Sequence, residues 1–512
     1  GFFMEIYTTD RIKNVALLGH GSTGKTTLTE AMAFLTGVTT RMGKVPDGNT
    51  ISDYDKEEAK RKFSISTSVV PIEWDKKKIN ILDTPGYFDF VGEVQEAVSA
   101  ADSAAIVISG KAGVQVGTEK AWNACEEAGL PRMIVFSQME SEDVHYGELV
   151  EKLQDMYGSK IAPIYVPFYE GGKFAGLADV VSGKAEKFGD KGKTTVCDIP
   201  ASVADDVAAY RDALMESVAE TSEEFMERYF GGDEFTEDEI RSAMMEGIAD
   251  CSIVPVICTA AASVQGISAV LTCMGSMMPS PSARKKSGIN TKNNEAVDMD
   301  YDPSKTKTAY VWKTISDPFI GKYSLIKVCS GVLKPADTLY DVQKSTEMRL
   351  GKLYVIRGNK PQEVSELCAG DIGALTKLDI ATGETLATKA EPIEYPKTVL
   401  ATPYTYQRYR SVNKGDEDKI AQALSRLAIE DLTFKTVNDA ANHQTLIYAI
   451  GDQQIEVIKS KLKDRYKVDI ELLEPKVAFR ETIRKKSDVE GKHKKQSGGH
   501  GQYGHVKMRF EP

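Results

Sequence analysis

The stretch Gly19-His20-Gly21-Ser22-Thr23-Gly24-Lys25-Thr26 fits the pattern G-x-x-x-x-G-K-[ST]. In such a loop, backbone N–H groups point at phosphate oxygens, and the helix that follows adds its positive end. Lys25 is placed to reach the β and γ phosphates, Thr26 to offer a hydroxyl to Mg²⁺, and Thr27 to open the helix. The context agrees, because the apolar run Val15 to Leu18 precedes the loop and a helix-compatible run, Thr27 to Leu35, follows it. Downstream, Asp83-Thr84-Pro85-Gly86 closes the apolar run Ile79 to Leu82. A carboxylate at a strand end is where Mg²⁺ is held in nucleotide-hydrolysing proteins of this type. Gly86 can offer its N–H to a γ-phosphate and act as a hinge. A second G-K-T-T, Gly192 to Thr195, has Lys187 rather than Gly five residues before it, and no buried strand leads into it. It reads as a surface turn.

Elements that must position these residues alternate strand and helix. Residues Ser64 to Trp74 and Lys78 to Leu82 read as paired strands, Ala104 to Ser109 and Met133 to Phe136 as further strands, and Thr118 to Ala128 and Tyr146 to Tyr157 as helices. That alternation predicts a mainly parallel α/β sheet. The polar stretch Thr39 to Lys62 reads as a mobile loop. Residues 160–250 form an irregular insertion with an acidic helical part, after which Val254 to Ile257 resumes the α/β pattern. The expected organisation is multidomain α/β. A P-loop domain spans residues 1–285, with an insertion at about 160–250. A β-barrel domain at 300–395, an α+β ferredoxin-like domain at 396–476, and the truncated start of a further α+β domain at 477–512 follow. Pro279, Pro281 and the polar run Arg284 to Asn294 read as a linker.

The chain has 512 residues, enough for about three or four domains at roughly 100–200 residues each. With 41% hydrophobic and 27% charged residues, its composition is that of a globular protein with a sizeable core. A formal charge of -11 argues against a general nucleic-acid coat, and DNA is not an expected partner. The seven cysteines stand singly, with no C-x-x-C pair, which fits a reducing cytoplasm better than a disulfide framework. His493, His500 and His505 lack partners at zinc-site spacing and read as loop histidines. No apolar run reaches the ~18 residues of a membrane helix, and the start lacks a signal peptide. Gly1 to Phe3 read as an added segment before a natural start at Met4.

Taken in order along nearly the whole chain, several segments resemble the translational GTPases. These are Gly19 to Thr27, the switch-like loop Asn49 to Ser66, Asp83 to Phe90, Ser316 to Lys322, Tyr323 to Asp337, Cys368 to Ile372, Leu424 to Asp431, Pro475 to Arg484, Val489 to Lys492 and Gln496 to Val506. The closest resemblance is to bacterial elongation factor G, and within it to the elongation-factor-G-like paralogous branch. The resemblance implies GTP as ligand and Mg²⁺ held through Thr26, Ser64 and Asp83. It implies phosphate binding by Gly19, His20, Gly21, Ser22, Thr23, Gly24, Lys25, Thr26 and Thr27, with Asp83 and Gly86 beside them. Catalytic roles fall to Lys25, Gly86 and Tyr87. The base-recognition Asn-Lys-x-Asp aligns with Ser137-Gln138-Met139-Glu140, and a later Ser-Ala motif with Ala260-Ala261.

The departures bear on chemistry. Ser22 stands where an Asp is common, and Tyr87 where the family places the His that orients the attacking water. A phenol can hold a water but cannot copy imidazole's protonation states near neutral pH. Glu140 keeps a carboxylate with an added methylene, and Gln138 replaces the Lys whose stem lies along the base. Phosphate binding is expected intact, with weakened guanine affinity or selectivity. The resemblance implies a cytoplasmic, monomeric protein that acts on the ribosome, through its RNA and proteins, in translocation or a related step. The basic runs Arg484-Lys485-Lys486 and Lys492 to Lys495 are candidates for RNA phosphates. Two other readings share this frame: a ribosome-binding factor with weak or no GTP hydrolysis, and a ribosomal protection protein of the tetracycline-resistance type. A P-loop kinase fits poorly with the D-T-P-G spacing and the following β-barrel.

Overall fold

The computed structural model describes residues 4–317 and 321–512. Pro318, Phe319 and Ile320, part of the Ser316 to Lys322 resemblance, lie outside the described residues. The first domain is built on a seven-stranded sheet. Its order is Ser68–Trp74, Lys77–Asp83, Ile12–Leu18, Ser103–Ser109, Arg132–Ser137, Val254–Cys258 and Ile161–Pro163. Only the first pair is antiparallel; the others run parallel. The central strands are buried on both faces, as in Ile12–Leu18, every residue of which is buried. That is why they appear in the sequence as short continuous apolar runs. Carboxyl ends of parallel strands gather loops at one edge, where α/β sheets place their ligands. The P-loop, Asp83 and Ser137 all lie at that edge.

Three sequence expectations are corrected. Ser64 to Thr67 do not extend the strand, which starts at Ser68. Their polar groups are used elsewhere: Ile65 N–H donates to Glu58 Oε2 at 2.9 Å and Thr67 N–H to Glu93 Oε2 at 2.8 Å. The segment Thr39 to Lys62 is not a structureless loop. Asp55 and Glu58 form a capping box on the helix Lys56–Arg61. Glu30, on the helix Lys25–Leu35, accepts the N–H groups of Gly43 at 3.0 Å and Ile51 at 2.9 Å. A tie so distant in sequence leaves no local signal. Third, the polar run after Arg284 is not only a linker. Ser287–Asn290 and Glu295–Asp298 pair as a hairpin, and Ile393–Glu394 adds a third strand. The hairpin's exposed polar residues hide its strand character.

Within the middle segment, Ile161–Pro163 pairs with Val254 to Val256 in the main sheet. The four-stranded antiparallel sheet and the helices Ala204–Ala219, Glu223–Phe230 and Glu237–Ala249 follow it. Thr194 and Thr195 of the second G-K-T-T lie on an exposed strand of that sheet, Thr194–Cys197, and its Gly192 packs beside Leu35 and Val264.

The second domain is β-rich, an eight-stranded antiparallel sheet around Thr308–Asp317 and Gly321–Ser330, with Trp312 buried at its centre. The third has four antiparallel strands in the order Lys435–Asp439, Gln444–Ala449, Thr405–Ser411, Ile470–Leu473. The helices Glu417–Glu430 and Asp452–Tyr466 bury Leu424, Leu427, Ile455 and Ile458 against one another and the sheet. This βαββαβ order is the ferredoxin-like arrangement. Ser487–Ser497 and His500–Phe510 then form a long exposed hairpin whose Gly498 and Gly499 both take positive φ, as a two-residue turn requires.

The first two domains meet through buried charge. Lys78 Nζ lies 3.0 and 2.9 Å from the two oxygens of Asp371, and Lys327 Nζ 2.6 Å from Asp102 Oδ1. Asn14 donates to Asp102 Oδ2 at 2.8 Å and to the Gly370 carbonyl at 2.7 Å. These contacts fix the second domain against the strand that leads into the P-loop and its neighbours.

Candidate functional site

The P-loop runs from Gly19 to Gly24 between the strand Ile12–Leu18 and the helix Lys25–Leu35. Glycine is required at both ends. Gly19 has φ +147, and a Cβ there would come within 2.5 Å of the Val107 carbonyl. Gly24 caps the helix in the left-handed region at φ +92. His20 Nδ1 accepts the Gly117 N–H at 3.0 Å, so the loop is fixed to the start of the helix Val116–Ala128. Thr23 Oγ1 donates back to the His20 carbonyl at 3.0 Å.

Lys25 Nζ is folded over the loop, donating to the carbonyls of Gly19 at 3.0 Å and His20 at 2.8 Å. Burial pulls its pKa down to about 8, while Asp83 and Asp53 push the other way. A buried ammonium satisfied only by neutral carbonyls is poised to receive an anion.

Behind it, Thr26 Oγ1 donates to Asp83 Oδ2 at 2.9 Å and lies 3.0 Å from Ser64 Oγ. Ser52 Oγ donates to Asp83 Oδ2 at 2.7 Å, and Ser64 Oγ to Asp53 Oδ1 at 2.6 Å. Asp83 Oδ1 is buried and lacks a hydrogen-bond partner. Burial raises the pKa of Asp83, and burial together with the Asp83 charge raises that of Asp53 to about 7. A set of hydroxyl and carboxylate oxygens with one unsatisfied carboxylate atom fits a hard cation of the Mg²⁺ kind. No group of three or more His, Cys, Asp or Glu among the described residues is arranged to hold a metal by itself. Such a cation would therefore share hydroxyl, water and phosphate ligands. Ser52 and Asp53 went unrecognised in the sequence. Their part in the cluster depends on the chain returning to Asp83, which no local spacing reveals.

Gly86 lies against the P-loop. An added Cβ would sit 2.6 Å from Gly21 Cα and 2.8 Å from Lys25 Nζ. Tyr87 follows it at the surface, 41% exposed, with its ring centroid 4.4 Å from that of Phe63. Thr84 Oγ1 donates to the Leu17 carbonyl, tying this turn to the sheet.

On the other side of the P-loop, two residues aligned with the base motif are tethers. Ser137, buried at the end of its strand, donates its hydroxyl to the Thr23 carbonyl, so it holds the loop instead of facing a base. Gln138, at φ +57, accepts from Ser109 Oγ at 2.7 Å and donates from Nε2 to the Ser22 carbonyl at 3.3 Å. A neutral amide thus makes the P-loop contact despite the lost Lys charge. Glu140 is exposed beyond them. Ala260, fully buried, commits its N–H to the Gln265 carbonyl at 3.0 Å. Its alignment to the Ser-Ala motif does not make that N–H available to a base.

A phosphate loop, a hydroxyl–carboxylate cation cluster and a glycine switch at one edge of a mainly parallel sheet define a P-loop nucleotide-binding domain, here carrying further domains. The comparisons agree segment by segment. Residues 10–280 match the elongation factor Tu GTP-binding domain, 306–389 elongation factor G domain 2, 401–474 elongation factor G domain III, and 475–512 elongation factor G domain IV. A crystal structure of a protein from Thermus thermophilus is similar, with 35% sequence identity and a TM-score of 0.85. The match covers 98% of this chain and 73% of that one. The chain belongs to the elongation factor G family of translational GTPases. No helix among the described residues is long and apolar enough to cross a membrane.

Proposed function

We propose that this chain binds GTP with Mg²⁺ and hydrolyses GTP on the ribosome during translocation or a related step. The observation that carries this reading is Lys25 Nζ on the Gly19 and His20 carbonyls, beside the Thr26–Asp83–Ser64 cluster. The loop N–H groups from Gly19 to Thr27 and Lys25 hold the phosphates. Thr26 and Ser64 hold Mg²⁺, with Asp83 and Asp53 behind them. Mg²⁺ held there would supply electrostatic stabilisation for the charge that develops on the phosphates. Gly86 presents its N–H to the γ-phosphate, and Tyr87 holds the attacking water through its phenol oxygen. Glu140 accepts the guanine N1–H and 2-amino hydrogens, on a loop that Gln138 ties to Ser22. The domain limits are those given above, the protein acts as a cytoplasmic monomer, and the basic residues of the terminal hairpin meet ribosomal RNA phosphates.

A second reading is favoured by Tyr87 itself. A phenol in the water-positioning place suits a ribosome-bound factor whose hydrolysis is weak or absent. Phosphate release with and without ribosomes separates the two. The expected result is turnover that ribosomes stimulate and that Lys25→Ala abolishes. Ribosome binding without turnover establishes the second reading, and a chain that neither turns over nor binds ribosomes contradicts both.

A further inference from the structure

Beside the P-loop, a Cβ added to Gly21 would reach only ordinary contact, 3.9 Å, with Tyr87 Cε2. The lateral contact comes from Phe63, tilted 44° to the Tyr87 ring at 4.4 Å. Phe63 directly precedes Ser64 of the cation cluster, so its backbone is fixed by the same groups that order that cluster.

The other side of Phe63 faces Phe90, at 6.4 Å between centroids and 31° between planes. Phe90, Ile65 and Val457 form a small buried cluster separate from the main cores, and Phe63 packs on it. Val457 lies on the third domain's helix Asp452–Tyr466. That helix is seated at both ends on the segments that carry the two rings. Asp89 Oδ2 accepts the Gln454 N–H at 3.0 Å near its start, and Arg465 donates to Asp55 Oδ2 at 2.6 Å near its end.

We propose that Phe63 is the positioning residue for Tyr87, and that the third domain sets its place through Phe90 and Val457. The proposal rests on the reading of Tyr87 as the residue that holds the attacking water. The seating of the third-domain helix is thereby converted into the lateral position of a phenol. An aromatic side chain at 63 matters because a ring pair contributes more than the apolar area it buries.

The test is ribosome-stimulated GTP turnover by the full chain with Phe63→Ala, Phe63→Tyr and Val457→Ala, alongside GTP titration and thermal melting of each. Phe63→Ala is expected to lower kcat by about three- to tenfold, the range one aromatic pair supports, while KM and Kd for GTP stay within about twofold. Phe63→Tyr is expected to retain turnover, and Val457→Ala to lower kcat in the same direction by a smaller factor. An unchanged kcat in a folded Phe63→Ala protein overturns the proposal, as does a matching loss in KM and Kd. If Phe63→Ala does not fold, an unchanged kcat in Val457→Ala overturns it instead. Absence of turnover in the unaltered protein overturns both this pairing and the hydrolysis reading. Turnover indifferent to residue 63 overturns the pairing alone.

Discussion

Lys25→Ala is expected to weaken GTP binding by about 100-fold, read by calorimetric titration of the nucleotide-free protein. The ammonium is buried and held only by two carbonyl oxygens. Its burial already lowers its pKa to about 8, so its environment favours the charge less than water does. Phosphate oxygens supply the missing negative partners. Hydrogen bonds to a charged group contribute about 1.5–3 kcal/mol each, and loss of one to two of them corresponds to about two decades in Kd. The substitution should leave the fold intact, because the loop is also held by Gly117 N–H on His20 and by Ser137 on Thr23. A titration that differs from the unaltered protein by less than about threefold would place the phosphates elsewhere.

The second large effect is on stability. Asp371→Ala is expected to destabilise the chain by about 3–5 kcal/mol, the range found when one partner of a buried ion pair is removed. Lys78 is 2% exposed, and its ammonium bonds both Asp371 oxygens. The same carboxylate also accepts from Asn80 at 3.1 Å and from the Ile372 N–H at 2.8 Å. Truncation strands a buried cation and removes the acceptor of those donors at the junction of two domains, although Asn80 keeps its bond to Asn14 Oδ1. Replacing both partners with apolar residues, Lys78→Met with Asp371→Leu, should recover much of the loss, because the stranded charge disappears with the pair. Denaturant unfolding followed by fluorescence of Trp74, Trp122 and Trp312 reports on both domains. A midpoint unmoved by Asp371→Ala would show that the junction does not depend on this pair.

What the sequence reveals follows the range of the interaction. The P-loop is legible because a short stretch carries its whole geometry: Gly19 and Gly24 take positive φ, and Lys25 and Thr26 begin the helix. Asp83 is legible because it ends an apolar strand. The buried parallel strands appear as continuous apolar runs, and the α+β character of the third domain is visible in its alternation. Asp53 is not legible. It enters the site through Ser64 and the charge of Asp83, and both depend on how residues 49–66 fold back over the helix Lys25–Leu35. The tethering roles of Ser137 and Gln138 are hidden for the same reason. A motif alignment places them beside the base, whereas their hydroxyl and amide reach P-loop carbonyls from across the sheet edge. The hairpin Ser287–Asn290 with Glu295–Asp298 escapes notice because its two four-residue strands are too short, and too mixed in polarity, to show an apolar alternation.

The phosphate side of the site keeps the groups that binding needs, and the base side keeps a carboxylate on a loop rebuilt from neutral tethers. The proposed guanine-nucleotide site stands or falls on its choice of base. Titration of the nucleotide-free protein with GTP, GDP, ATP and XTP in the presence of Mg²⁺ tests it most directly. GTP and GDP are expected to bind at least about tenfold more tightly than ATP, the discrimination that one well-placed hydrogen-bonding contact of about 1.4 kcal/mol or more supplies. XTP, which lacks the 2-amino donor, should fall below GTP. Equal affinities for GTP and ATP would contradict the assignment of Glu140 as a reader of guanine, and no detectable binding of any triphosphate would contradict the site itself.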